Sequence, residues 1–289
     1  MDEKSLEILE FPEVKRILAG YTSFPISKDL VLNLMPLSDY DEVSLLLRQS
    51  AEARSLLSLD NELDISGVFD IREDVKLSAL GKIIEPKKLV EIQQTLAIAR
   101  QVRSSLNEIS KEVPLMWDIA QGIEDLPKIE KEIARCISPN GEVLDRASPE
   151  LTAVRAQLKE TREHLIKRLE GIMRAPRGRK IIQEPIITER DGRYVVPVKV
   201  EFRKEIKGIT HDVSNTGASV YVEPWSTVDL GNTFRELQTV EKREVERILR
   251  NLSNAVGAKE AEILQNISRL AELDEVHPAQ SGSLRDPLL

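Results

Sequence analysis

Residues 181–223 read IIQEPIITERDGRYVVPVKVEFRKEIKGITHDVSNTGASVYVE, the one β-rich run in a chain whose remaining pattern is helical. Asp191-Gly192 is a two-residue hairpin signal, because both positions of such a turn take positive φ and this dipeptide tolerates it. After the turn, Tyr194, Val196, Val198 and Val200 fall on one face of a strand, with Arg193, Lys199 and Glu201 on the other. A second pair is expected from Ile206 to Val213 and, past a turn at Asn215-Thr216-Gly217, through Ala218, Val220 and Val222. The expectation is a small antiparallel sheet of about four strands.

Long helices flank this run. Ser148-Pro149-Glu150 is a strong helix start, with an N-cap hydroxyl and then proline where its missing N–H costs nothing. The helix runs over 148–174, and Leu151, Val154, Leu158, Leu165 and Ile172 keep a spacing near 3.5, interrupted at Thr161 and Arg168, as in a two-helix seam. The return helix starts after Glu223-Pro224 and is expected over 226–272, with Gly257 marking a bend. At about 1.5 Å per residue the two would measure roughly 37 and 70 Å. The spacing therefore predicts an antiparallel two-helix coiled-coil arm, 148–272, that carries the sheet 181–223 at its tip, while the second half of the return helix packs back on the first region.

That first region, 1–147, reads as all-α. Helices are expected over 3–20, bent at Pro12, and over 27–34, 40–59, 68–78, 86–109, 115–122 and 126–137, with a loop at 60–68 and a turn at 138–141. Residues 277–289 lose all periodicity and are expected to be disordered or to be added sequence. The fold class is mainly α.

The 289 residues are 41% hydrophobic, 31% charged and 4% aromatic, which favours long helices over a β sandwich. The net charge of −8 gives no global attraction for polyanions. Its distribution does. Between Arg174 and His211 stand ten Lys/Arg and five Asp/Glu, a local +5, against −13 for the remainder. A basic tip on an acidic body draws a polyanion to the tip. The candidate phosphate-contacting residues are Arg174, Arg177, Arg179, Lys180, Arg193, Lys199, Arg203, Lys204 and Lys207. They are suited to the backbone of a duplex rather than to reading bases, since no aromatic stacking platform accompanies them.

Catalytic patterns are absent: there is no phosphate loop, no H-E-x-x-H and no G-x-S-x-G. Three separated histidines and the single Cys136 do not suggest a metal site or a disulfide, and Cys136 reads as a partly buried helix residue in a reducing cytosol. His211-Asp212-x-Ser214 is better explained as turn chemistry than as a triad, whose members must converge from different places. No apolar run reaches the ~18 residues that span a membrane, and a cytoplasmic protein is expected.

The run GRYVVPVKVEFRKEIKGITHDVSNTGASVYVEP, Gly192 to Pro224, resembles the corresponding stretch of the bacterial MutS-two family, MutS homologues without mismatch-reading and connector domains. The turn glycines, His211-Asp212 and Glu223-Pro224 carry the likeness. It extends through Leu6–Tyr21, Asp70-Ile71-Arg72, Ser148-Pro149-Glu150-Leu151 and Leu270-Ala271-Glu272-Leu273-Asp274, about 270 residues in all. The resemblance implies that 1–147 is a core/lever region and 148–272 a clamp arm that grips DNA by its backbone. It implies an N-terminal fragment, departing from relatives near Glu275, without the ATPase and the small MutS-related nuclease domain that follow in full-length relatives. ATP and Mg are expected only in that missing ATPase, which also supplies the homodimer, so this piece is expected to hold no cofactor and to be no enzyme. The function expected is a non-catalytic clamp/lever module in recombination control or repair. The family also allows a ribosome-docking arm, in which the same cations meet rRNA on stalled ribosomes.

Overall fold

The computed structural model describes residues 3–58 and 63–276; the expected tail at 277–289 and part of the expected loop at 60–68 lie outside them. The helices are α1 (Glu3–Ile8), α2 (Phe11–Ala19), α3 (Pro25–Leu32), α4 (Tyr40–Ser58), α5 (Arg72–Ala79), α6 (Pro86–Glu108), α7 (Pro114–Ala120), α8 (Pro127–Cys136), α9 (Pro149–Arg174), α10 (Pro176–Ile181), α11 (Trp225–Gly257) and α12 (Glu260–Val276). The strands are β1 (Thr188–Arg190), β2 (Arg193–Lys199), β3 (Gly208–Val213) and β4 (Ser219–Pro224). Six helices, α3 and α6 to α10, open on proline, whose ring presets helical φ at a position that has no intrahelical N–H bond to lose. The molecule is thus mainly helical with one small four-stranded antiparallel sheet.

Two compact units are present. One takes the chain to Leu144 and resumes at Ile248; the other is Asp145–Arg247. In the first, α6 buries Leu89, Ile92, Leu96, Ala99, Val102 and Leu106, and α12 buries Ile263, Ile267, Leu270, Ala271 and Leu273. Polar side chains fix how α12 sits. Asn266 accepts from the Glu124 N–H at 2.7 Å and donates to its carbonyl at 2.8 Å, and Asp274 accepts from the Ser23 N–H at 2.8 Å. The Asn266 and Asp274 side chains are buried, so losing these partners would leave a polar group without water or protein to bond to, which is the costly direction.

In the second unit, Ser148 caps α9, accepting from the Leu151 N–H at 3.0 Å, and donates to Glu244 Oε1 at 2.6 Å. Arg155 joins Glu241 of α11 at 2.8 Å and Asp145 at 2.6 Å. Further along α9, Arg162 donates to the Tyr194 hydroxyl at 2.9 Å, and the Tyr194 ring meets Phe234 edge-on at 5.8 Å. Higher numbers on α9 therefore meet lower numbers on α11. The sheet, in order β1-β2-β4-β3, places Val196 opposite Val222 and Val198 opposite Val220. These four valines pack with Leu165, Leu169 and Met173 of α9 and with Ile181 and Ile182 into one buried cluster. Asp191 and Gly192 take the expected positive φ, 50° and 72°.

Several expected boundaries are corrected. The helix expected over 3–20 breaks at Glu10, which is left-handed at φ 53°, ahead of Pro12. The helix expected from Val68 begins at Arg72, because 68–71 run as loop with Asp70 turned onto the Arg72 guanidinium at 2.7 Å. The β-rich run starts at Thr188, since Ile181 closes α10. Val200 and Glu201 are not strand: a 3-10 turn occupies Val200–Glu205. The return helix is two helices, parted at residues 258–259 where the Ala258 and Lys259 N–H groups close the end of α11 on the Asn254 and Val256 carbonyls, each at 2.9 Å.

Candidate nucleic-acid interface

Most of the nine candidate cations gather around α10 and the 3-10 turn Val200–Glu205. Arg177 Nη2 donates to the Glu205 carbonyl at 2.8 Å, with its Nε 3.8 Å from the Glu205 carboxylate. Lys180 Nζ lies 5.5 Å over the Phe202 ring. These two contacts hold α10 against the turn, while Phe202 and Ile206 dip into the valine cluster. Between these anchors the turn exposes Arg203 and Lys204, followed by exposed Lys207. Among the described residues none of the last three forms an ion pair. Lys199, half-buried, leads into the turn. Arg174 and Arg179 stand on the other flank of α10: Arg174 pairs with Glu170 at 3.0 Å, and Arg179 Nε donates to the Arg174 carbonyl at 3.0 Å. Exposed cations without an ion pair can meet a phosphate without first giving up a protein partner, and the contact releases counterions.

Arg193 does not join this basic rim. Its side chain is only 16% exposed and sits 3.2 Å from Glu223 Oε1, with a second bond at 2.7 Å to Asn232 Oδ1. Glu223 is 3% exposed and also meets His211 Nε2 at 2.8 Å. A bulge between Thr210 and Asp212 leaves His211 as the extra residue in its strand, which re-aims its ring toward that carboxylate. Gly231 of α11 makes room, because a Cβ there would lie 2.7 Å from Glu223 Oε1 and 2.9 Å from Arg193 Nη1. Arg193 and Lys199 share one face of β2, but Val195 and Pro197 between them are buried, and Arg193 itself is closed in by Glu223 of β4 and Asn232 of α11, 30 and 39 residues away in sequence.

No protein-family model matches the chain. The chain is similar to proteins named Endonuclease MutS2. It is 35% identical over 274 residues to that of Pelotomaculum thermopropionicum, 37% over 277 to that of Geobacillus thermodenitrificans and 38% over 277 to that of Thermomicrobium roseum. Each match takes in 95% of this chain but 35% of the relative, so the chain spans about a third of the length of these curated relatives. This likeness supports a fragment of a MutS2-family protein.

Two residues near the rim escaped the sequence reading. Arg190 stacks 4.4 Å over Tyr221 and pairs with Asp212 at 3.2 Å, across the sheet from β1 to β3. Trp225, 59% exposed, hangs its backbone N–H on the Lys207 carbonyl at 3.0 Å. An aromatic at the first position of a helix reads as a helix start, and only the strand pairing Gly208 to Pro224 sets it beside a lysine. His211, Asp212 and Ser214 do not converge: Asp212 accepts from the Val213 N–H at 2.8 Å and Ser214 from the Ser219 N–H at 3.0 Å. Cys136 is buried, and burial pushes its thiol pKa up, away from the reactive thiolate. Among the described residues no group of three or more His, Cys, Asp or Glu could hold a metal, and no helix is long and apolar enough to cross a membrane.

Proposed function

We propose that this chain is a clamp and lever piece of a MutS2-family protein, with Asp145–Arg247 as a coiled-coil clamp arm that grips duplex or branched DNA by its backbone. Arg177, Lys180, Arg203, Lys204 and Lys207 make the grip, Lys199 supports it from the turn's start, and Arg193 holds the sheet to α11. Residues up to Leu144 and from Ile248 to Val276 act as core and lever. The arm performs no chemistry itself; we assign cleavage, ATP turnover with Mg and dimerisation to parts of such proteins outside the third of their length that this chain matches. The observation that carries the reading is the exposed, unpaired run Arg203, Lys204 and Lys207 beside α10, in a chain otherwise strongly acidic. Phosphate contact by such side chains is sequence-independent and releases counterions.

Fluorescence anisotropy with a labelled 20-base-pair duplex tests it. Binding at low salt should weaken steeply as salt rises, and unlabelled duplexes of unrelated sequence should compete equally. Absence of binding at low salt would defeat the reading. Competition by structured RNA far stronger than by DNA would instead favour the ribosome as the arm's target.

A further inference from the structure

The two arginines on the far flank of α10 do something different from the rim. Arg174, Arg179, Glu170, Met173, Pro185 and Ile187 line a concavity of about 360 Å³. It exists because α10 folds tightly back on α9: a Cβ at Gly178 would lie 2.0 Å from the Ile172 carbonyl oxygen, so only glycine allows the approach. Pro185 and Ile187, just ahead of β1, line it opposite the last turn of α9. Met173, Pro185 and Ile187 give it an apolar side. On the polar side, the bond from Arg179 Nε to the Arg174 carbonyl, 3.0 Å, fixes the plane of that guanidinium. Its two terminal nitrogens have no partner among the described residues. Arg174 gives one nitrogen to Glu170 at 3.0 Å and keeps the rest.

We propose that this concavity binds a phosphomonoester: the terminal phosphate of a nucleic-acid strand, or that of a free nucleotide. A guanidinium whose Nε is already held presents a preset two-nitrogen fork, the geometry that phosphate oxygens fill. Two guanidiniums against one carboxylate leave a net positive site. A pocket near the small end of the usual 300–1,000 Å³ range suits one nucleotide. A terminal phosphate enters such a hollow end-on, with its sugar against Met173, Pro185 and Ile187, whereas an internal phosphodiester must bring chain on both sides of it. Glu170 repels the ligand and holds part of Arg174 in reserve. For strand ends, the inference rests on the clamp reading; for the mononucleotide it does not.

The test uses the whole chain with four probes: a DNA hairpin with a blunt 5′-phosphorylated end, the same hairpin with a 5′-hydroxyl, a dumbbell without ends, and thymidine 5′-phosphate. The phosphorylated hairpin should bind roughly tenfold tighter than the hydroxyl form, the effect of one or two charge-assisted bonds. Arg179→Gln should abolish that preference and thymidine 5′-phosphate binding while dumbbell affinity stays the same. Arg179→Lys, which keeps the charge without the fork, should retain part of the preference, and Glu170→Gln should increase it by freeing Arg174. Circular dichroism checks that each variant is folded. Equal affinity for the two hairpins, or a preference that survives Arg179→Gln, overturns the proposal. Binding of thymidine 5′-phosphate and of the phosphorylated hairpin without binding of the dumbbell would uphold the pocket and reject the clamp.

Discussion

Arg193 and Arg203 stand ten residues apart in one strand-and-turn segment, and the fold uses them in opposite ways. Arg193 lies among Glu223, His211 and Asn232, with Gly231 cut back to let them meet. Arg203 lies in a 3-10 turn held from beneath by Phe202 and Ile206, exposed and unpaired among the described residues. The difference teaches that a local excess of positive charge says little about a binding surface until its internal pairs are subtracted. The buried group determines whether the sheet holds its shape; the exposed group determines what the sheet can attract.

Variants should separate these two roles, the largest effect on stability first. Glu223→Ala leaves Arg193 charged and buried without its carboxylate, and removing one partner of a buried pair costs about 3–5 kcal/mol. Chemical denaturation followed by tryptophan fluorescence should show that loss. Gly231→Ala forces a methyl against the same carboxylate and should cost about 1–3 kcal/mol, an overpacking penalty, by the same measurement. Replacing Arg203, Lys204 and Lys207 with glutamine should change stability by less than about 0.5 kcal/mol per site, as surface substitutions do, while weakening duplex binding. If the triple variant instead unfolds, these residues are structural and the contrast with Arg193 disappears.

The smallest effect is at the opposite end of α9. The Arg247 side-chain hydrogen bond, helped by the Ser148 hydroxyl, holds the Glu244 carboxyl below the usual carboxylate range. A carboxylate whose folded pKa is depressed contributes stability that is present above its unfolded value and lost as pH falls through the folded one. Thermal denaturation of the parent protein should therefore decline on acidification below the ordinary carboxylate range. Glu244→Gln should flatten that decline by a few tenths of a kcal/mol, the scale of a solvent-screened pair. An unchanged acid limb would mean that the Ser148 cap does not need the ionised form.

How far the sequence reached depended on the range of the forces involved. The Ser148 cap, the Asp191-Gly192 turn and the alternation of Val196, Val198, Val220 and Val222 are local rules, and the structure obeys them. α10 and the 3-10 turn are too short to show a period; they persist because Arg177 and Lys180 bind the turn across more than twenty residues. The gap between α11 and α12 was legible only as Gly257. A Cβ there would lie 2.6 Å from the Ser78 carbonyl oxygen, a contact that sequence alone does not display. For the candidate interface, composition located the segment and its sign. What took Arg193 off the surface was Glu223 of β4 together with Gly231 and Asn232 of α11, none of them near it in sequence.

The central claim is that Arg203, Lys204 and Lys207 touch phosphate. Its most direct test is the slope of log binding constant against log salt for a plain duplex, measured for the parent chain and for the triple glutamine variant. Each lost phosphate contact should reduce the slope's magnitude by about 0.9, so the three together should lower it by nearly 3. An identical slope in parent and variant would contradict the account, because those side chains would then displace no counterions.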